Sequence, residues 1–230
     1  AGIMKRVLAS LLLLLVLGYA FNAARVGLAN TAYFQARFLL DKWQQQPQAI
    51  TQSNYQQAYD FASRSVLLAP NNPHYQITKA KIVLWGYHAG FSQDAQVVDL
   101  DKLYQNAISQ RPQWPEAYAD YAWYLSAIKD DFPQAMLKLN QAVKYGPFHG
   151  DSLETVLKVA FSRWQQLTPE QKAEFYPLIP RALQSNSRNN VLMMVKQYKK
   201  EFVVCYYLKR QGQLPQNLWS SVERQLCLAN

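Results

Sequence analysis

The fold is decided by residues 115–147, which read PEAYADYAWYLSAIKDDFPQAMLKLNQAVKYGP. One helix-length segment, Glu116–Lys129, precedes Asp130-Asp131, and a second segment follows it. Carboxylates at this position can cap the free N–H groups that open the second helix. Pro147 ends that helix, because the residue before a proline disfavours the helical region. The stretch therefore predicts two helices joined by a short turn.

The same helix ending occurs at three prolines, Pro70, Pro112 and Pro147, which are separated by 42 and 35 residues. Small residues recur, with larger ones between them, at twelve, eight and five positions before each proline: Ala58, Ala62 and Ser65; Leu100, Tyr104 and Ala107; Ala135, Leu139 and Ala142. This pattern resembles the second helix of tetratricopeptide repeats, whose period is about 34 residues. The longer first interval predicts an insertion within Gly90–Asp99.

The resemblance implies a concave surface lined by the first helices of two repeats, Tyr75–Ala89 and Glu116–Lys129. Concave surfaces of this kind bind extended peptides or partner proteins. The side chains that the alignment places in this partner-binding groove are His74, Ile77, Lys81, Trp85, Glu116, Ala119 and Trp123.

The start of the chain has the pattern of a membrane-targeting segment. Lys5 and Arg6 precede an apolar run, and the eighteen residues from Val7 to Ala24 carry no charge. As a helix they span about 27 Å, close to the thickness of a thin bilayer. Two interpretations stay open: an uncleaved anchor, or a signal peptide cut after Gly18-Tyr19-Ala20.

Basic residues before an apolar helix favour the cytoplasmic side, so we expect the body to lie in the periplasm of a bacterium. We expect Ala1-Gly2-Ile3, which precede Met4, to be remnants of cloning.

The predicted fold class is all-α, with an anchor over residues 1–24. A helical stalk and hinge follow over 25–49, tetratricopeptide-like repeats over 50–150 and a helical cap over 151–230. The stalk helix is expected to end near Pro47, and the polar segment 44–48 to act as the hinge. Within the cap we expect a helix over Asp151–Leu167, a helix start at Thr168 and a long, largely buried helix over Asn190–Leu208. A last short helix is expected to open at Pro215.

Composition and charge limit the partners. Half of the residues are hydrophobic, only eight are Gly, and the net charge is +9, with most of the basic excess near the C-terminus. That excess fits a solvated helical face near an anionic membrane. Nucleic acid is not expected as a partner beyond the membrane.

The two cysteines, Cys205 and Cys227, can form a disulfide in an oxidising compartment. If the chain turns near Gln211–Leu214, however, two straight antiparallel helices would leave the cysteines about 10 Å out of register. A disulfide and two buried thiols therefore both stay open.

The sequence contains no recognisable catalytic motif. The histidines are His74, His88 and His149, and no two of them stand at a metal-ligand spacing. No phosphate-binding loop or nucleophile elbow occurs. We therefore expect a protein that is not an enzyme and that needs no cofactor or metal.

The layout of anchor, short repeat body and cap with Cys205 and Cys227 resembles the VpsP family, whose members are encoded with exopolysaccharide biosynthesis systems. The segments around Pro73-His74-Tyr75 and Pro112–Ala117 also look like the repeat tails of some polysaccharide polymerases and ligases. The resemblance implies a periplasmic adaptor, anchored in the inner membrane, that binds a protein of polysaccharide assembly. The alternatives are a module that binds an anionic glycan directly and an assembly factor for a membrane complex.

Overall fold

A computed structural model describes residues 2–211 and 214–228. Helices make up 82% of the structure, and the described residues contain no β-strand, which confirms the all-α fold class. The α-helices are α1 Gly2–Gln45, α2 Gln52–Leu68, α3 Pro73–His88, α4 Asp94–Val98, α5 Leu100–Gln110, α6 Pro115–Ala127, α7 Phe132–Tyr145, α8 Gly150–Ser162, α9 Pro169–Phe175, α10 Leu178–Leu183, α11 Arg188–Gln197, α12 Glu201–Gln211 and α13 Gln216–Val222. Short 3-10 turns lie at Pro47–Ala49 and Trp164–Gln166, and a π-helical turn lies at Glu223–Cys227.

The helix ends follow the prolines as the sequence predicts. Helices α2, α5 and α7 stop two residues before Pro70, Pro112 and Pro147. At the starts, the Asp131 side chain accepts a hydrogen bond from the Gln134 amide, and Thr168 and Gln171 form a reciprocal capping box. The local chemistry of turns and caps therefore fixes most element boundaries.

The chain divides into two compact units, one within Ala1–Pro112 and the other within Gln113–Asn230. In the first unit, α1 packs against α2, α2 against α3, and α3 against α5. Small residues let these helices approach closely, and larger side chains fill the remaining space. The core consists of Ala36, Leu40, Trp43, Tyr55, Ala58, Ala62 and Ile82.

Helix α1 has two different parts. Residues 2–28 are exposed on every side, and an 18-residue window in this helix has a mean hydropathy of 2.2 with no residue buried. By length and composition, α1 is therefore able to cross a membrane. From Ala29 onward, one side of the same helix is buried against the rest of the unit, at Ala29, Ala32, Ala36, Leu40 and Trp43.

The predicted stalk and hinge need correction. Helix α1 continues to Gln45 without a break, as predicted, but its last part is a core helix of the first unit instead of a free stalk. The indole of Trp43 is fully buried, which ties this end of α1 to α2 and α3. The predicted hinge over 44–48 instead overlaps the end of α1 and the turn that joins Gln45 to Gln52 in a helical hairpin, whose two helices bury apolar residues against each other.

The predicted insertion after α3 folds back onto the first unit. Gly90 has a φ of +76°, a conformation that favours glycine, and it turns the chain toward α4. The Tyr55 hydroxyl lies 2.9 Å from Ser92 Oγ and donates to Gln96 Oε1 at 2.8 Å. Tyr55 also passes over Gly86, where a Cβ atom would lie only 2.2 Å from the ring. The insertion is thus fixed by hydrogen bonds to a buried tyrosine.

In the second unit, α6 packs against α7 and α8, and α8 contacts α10 and α11. Two predicted helices are shorter here than expected. The Asp151–Leu167 helix ends at Ser162 and gives way to a 3-10 turn. The Asn190–Leu208 helix is broken at Lys199, which has a φ of +53°. Because the chain changes direction there, α11 and α12 bury separate apolar faces instead of one continuous surface.

The C-terminal part of this unit is closed by a disulfide. The Cα atoms of Cys205 and Cys227 are 5.8 Å apart and their sulfur atoms are bonded. The mismatch expected for two straight helices does not arise, because α13 starts only at Gln216 and changes to a π-helical turn before Cys227. The predicted turn at Gln211–Leu214 includes Gly212 and Gln213, which lie outside the described residues.

Candidate interaction surface

The predicted groove residues of the first unit lie on one side of α3 but have different environments. His74 is exposed, and its Nε2 atom is 3.3 Å from the Arg111 guanidinium. Ile77 is only 4% exposed, so its side chain belongs to the interior. Lys81 is half-buried. Trp85 packs against the core, with its ring centroid 6.4 Å from that of Trp43. Ile77 and Trp85 therefore have a structural role in this unit.

The predicted groove residues of the second unit lie on one face of α6. Ala119 is fully buried and has no surface to offer a ligand. Glu116 is half-buried, accepts a hydrogen bond from Trp114 Nε1 at 2.9 Å and lies 3.6 Å from His149 Nε2. Trp123 is half-buried at the surface. Of the three residues, Trp123 is the aromatic one that is partly exposed, and a charged group, the Lys158 ammonium, lies over its ring.

Trp123 lies among four polar residues, and together they form what we call the Trp123 cluster: Asp120, Trp123, Glu154, Lys158 and Asn190. The ammonium nitrogen of Lys158 lies 3.9 Å from the centre of the Trp123 ring, within the range of a cation–π interaction. Asn190 Nδ2 donates to Glu154 Oε2 at 3.1 Å. Helices α6, α8 and α11 each contribute to the cluster, which is therefore assembled by the packing of the second unit.

Burial changes the acid–base properties of the cluster. It raises the pKa of Glu154 above its ordinary value, while the hydrogen bond from Asn190 acts in the opposite direction. Burial also lowers the pKa of Lys158, an effect that the negative charges of Glu154 and Asp120 oppose. These charges therefore give up hydration in the folded chain and depend on one another for stabilisation.

A second pair of polar contacts supports this surface. Ser187 Oγ donates to Asp151 Oδ1 at 2.7 Å, which joins the start of α8 to the start of α11. Together with the bond from Asn190 to Glu154, this contact joins both acidic residues of α8 to the N-terminal end of α11.

The arrangement is suited to binding an extended chain. It offers an ammonium group, two carboxylates, a side-chain amide and part of an indole ring within one half-buried region. Such a surface can exchange its internal charge contacts for contacts with a partner. Trp residues that become buried on association are frequent energetic centres of protein interfaces.

Sequence reasoning found Trp123 but missed Asp120, Glu154, Lys158 and Asn190. The spacing of Glu154 and Lys158, four residues apart on a helix, was a visible signal of an ion pair. Nothing in the local sequence, however, places Lys158 over a tryptophan 35 residues earlier. That contact requires α6 and α8 to pack side by side.

The comparisons with known proteins add no family. No protein-family model matches the chain, and no curated protein matches it.

Proposed function

We propose that this chain is a membrane-anchored adaptor that binds a partner protein beside a bacterial inner membrane. The observation that carries the proposal is the division of α1 into an exposed apolar part and a part that is built into the core of the first unit. One continuous helix thus serves as both anchor and structural element. Any body attached in this way is held at the membrane without a flexible linker.

The dimensions support a fixed position of the first unit. Helix α1 has 44 residues, which corresponds to about 66 Å of helix length. About 30 Å of this suffices to cross the hydrocarbon core of a bilayer. The remainder includes the buried segment from Ala29 to Trp43, so the first unit begins close to where the helix leaves the membrane.

The partner surface that we propose is the Trp123 cluster. The succession of α6, α7 and α8, each packed against the others, is compatible with the helical-repeat arrangement that the sequence suggests. In such arrays the first helices of successive repeats face the ligand. In a repeat arrangement, α6 and α8 would be the first helices of successive repeats. Both contribute to the proposed surface, α6 through Trp123 and α8 through Lys158.

A protein partner has more support than a glycan at this site. Tryptophan binds sugars by stacking a free ring face against the pyranose ring. The Lys158 ammonium occupies one face of the Trp123 ring, and Trp85 is committed to packing near Trp43. The Lys158 contact at Trp123 and the packing of Trp85 in the core therefore both compete with the stacking of a sugar ring.

The pathway is part of the proposal and comes from the resemblance to the VpsP family alone. On that basis the partner is a component of surface polysaccharide assembly or export, and the two units lie in the periplasm. Basic residues Lys5 and Arg6 before the apolar run support this orientation.

The proposal is tested by proximity labelling and affinity purification of the full chain from membranes. Trp123→Leu and Lys158→Met remove the ring and the charge of the cluster while keeping apolar volume. Loss of a hot-spot contact of about 2 kcal/mol weakens binding roughly thirtyfold, so recovery of the specific partner is expected to fall sharply in both variants.

Two controls separate binding from folding. Glu170→Gln changes a fully exposed carboxylate on α9 of the same unit, and Leu137→Ser changes an exposed apolar residue on α7. Both controls are expected to retain the partner. Partner recovery that is equal in Trp123→Leu, Lys158→Met and the controls, with all variants folded, would exclude the Trp123 cluster as the binding surface.

A further inference from the structure

Helix α12 has one exposed face that neither the fold nor the proposed partner site uses. On its buried side, Val204 and Leu208 are almost fully covered. On the opposite side stand Phe202, Tyr206, Lys209 and Arg210, which we call the aromatic–basic face. Phe202 is 82% exposed and Tyr206 is 56% exposed, which is unusual for two neighbouring aromatic residues of a folded unit.

The aromatic–basic face is locally ordered. The rings of Phe202 and Tyr206 are stacked, with centroids 6.2 Å apart and an interplanar angle of 20°. Arg210 Nη1 donates to the Tyr206 hydroxyl at 2.8 Å, so the guanidinium is held beside the aromatic pair. The disulfide between Cys205 and Cys227 fixes the middle of the same helix. The face is therefore presented as a preformed surface.

The charge around this face is strongly positive. Five basic residues lie between positions 196 and 211, against one acidic residue, Glu201: Lys196, Lys199, Lys200, Lys209 and Arg210. A second copy of the chain would bring these like charges against each other, which disfavours self-association through this face. The partner that complements it is an anionic surface that also accepts exposed aromatic rings.

We propose that the aromatic–basic face docks on the surface of an anionic lipid bilayer. Aromatic side chains are enriched at the membrane–water interface, and each Lys or Arg near an anionic leaflet strengthens contact about fivefold. The proposed anchor tethers the chain to a bilayer, so weak individual contacts act at a raised effective concentration. The inference uses the proposed anchor only as the tether that raises the effective concentration, and it does not involve the Trp123 cluster.

Hydroxyl-radical footprinting of the full chain in nanodiscs tests the proposal. The chain is reconstituted in nanodiscs of zwitterionic phosphatidylcholine or of phosphatidylcholine with phosphatidylglycerol, and oxidation of individual side chains is read by mass spectrometry. We expect Phe202 and Tyr206 to be oxidised several-fold less in the anionic nanodiscs. Phe148, which is 73% exposed and has Arg181 over its ring, is the internal reference and is expected to react equally in both.

The charge-reversal variant Lys209→Glu with Arg210→Glu is expected to lose the protection, because the electrostatic attraction becomes repulsion. Lys102→Glu, an exposed lysine of α5, is the matched control and is expected to keep it. Salt at about 1 M, where the Debye length is about 3 Å, is expected to abolish it as well.

Equal oxidation of Phe202 and Tyr206 in the two nanodisc types would overturn the proposal, whether the rings are exposed or covered by a second copy. Protection that appears in zwitterionic nanodiscs only after an anionic polysaccharide is added would also overturn it and would indicate a glycan surface. Failure of the chain to enter nanodiscs at all would instead contradict the proposed anchor.

Discussion

The two units are stabilised and exposed in different ways, although the sequence suggests that they share one repeat pattern. In the first unit, Trp85 packs beside Trp43 in an apolar core that includes the continuation of the N-terminal helix. In the second unit, Trp123 lies at the surface beneath the Lys158 ammonium. The sequence alignment predicts the same groove role for both tryptophans, yet one supports the fold and the other forms part of a charged cluster.

The difference shows that two positions matched by the sequence pattern can have different environments in the folded chain. Trp85 is partly covered because α1 adds a helix to the first unit and supplies Trp43 as a packing partner. Trp123 meets α8, which supplies charged residues instead of an aromatic one. The first unit therefore depends mainly on apolar burial, and the second unit combines apolar burial with polar contacts and a disulfide.

The largest effect is expected from Trp43→Ala, which removes the largest fully buried side chain of the first unit. Loss of a buried Trp destabilises a protein by about 3–5 kcal/mol. The change in unfolding free energy is measured by denaturant unfolding in detergent micelles, with hydrogen exchange of the α2 amides as the signal. Phe38→Ala, at an exposed site on the same helix, is the control and is expected to have a small effect. Equal effects of the two substitutions would contradict the packing of α1 in the core.

A somewhat smaller effect is expected in the second unit when both cysteines are replaced, Cys205→Ala with Cys227→Ala. The bond closes a loop with a sequence separation of 22 residues, and its loss costs about 3 kcal/mol in the loop-entropy description. Hydrogen exchange is expected to increase in α12 and the π-helical turn and to stay unchanged in α2. Increased hydrogen exchange in the first unit would show that the disulfide does not stabilise the second unit alone.

The Trp123 cluster is expected to show a coupling of about 1 kcal/mol between Glu154 and Lys158. Either single variant, Glu154→Gln or Lys158→Met, leaves a half-buried charge without its opposite. The double variant removes both charges and is therefore expected to lose less stability than the sum of the single losses. Additive losses in a double-mutant cycle would indicate that the two charges do not interact.

The smallest effect concerns pH. Because burial raises the pKa of Glu154, the folded chain binds this proton more tightly than the unfolded chain. The contribution of Glu154 to the unfolding free energy is thus greatest below its ordinary pKa of 4.5 and declines as the pH rises through the raised value. The difference in stability between the natural chain and Glu154→Gln, measured from pH 4 to 8, is expected to follow this decline. A difference that is constant over the range would contradict it.

Much of the secondary structure follows from local sequence signals. The proline-led endings of α2, α5 and α7 and the Thr168 capping box depend on neighbouring residues only, so sequence reasoning located them. The apolar composition of residues 7–24 was likewise sufficient to identify a helix that can cross a membrane.

The features that sequence reasoning missed depend on contacts between distant residues. The burial of Trp43 depends on α2 and α3. The break at Lys199 depends on the separate packing of α11 and α12 against other parts of the second unit. The Trp123 cluster depends on the packing of α6, α8 and α11. Apart from the spacing of Glu154 and Lys158, these features have no local signature, so sequence reasoning did not find the packing of the stalk in the core or the break in the Asn190–Leu208 helix.

The proposed continuity of α1 from a membrane into the first unit is tested most directly by one distance. Spin labels at Leu17 and Phe38, both exposed, are separated by 21 residues of helix, or about 32 Å. Pulsed electron–electron double resonance of the full chain in nanodiscs is expected to give a single narrow distribution near this value. A broad distribution centred at shorter distances would show a bend or a flexible joint between anchor and body and would contradict a rigidly anchored adaptor.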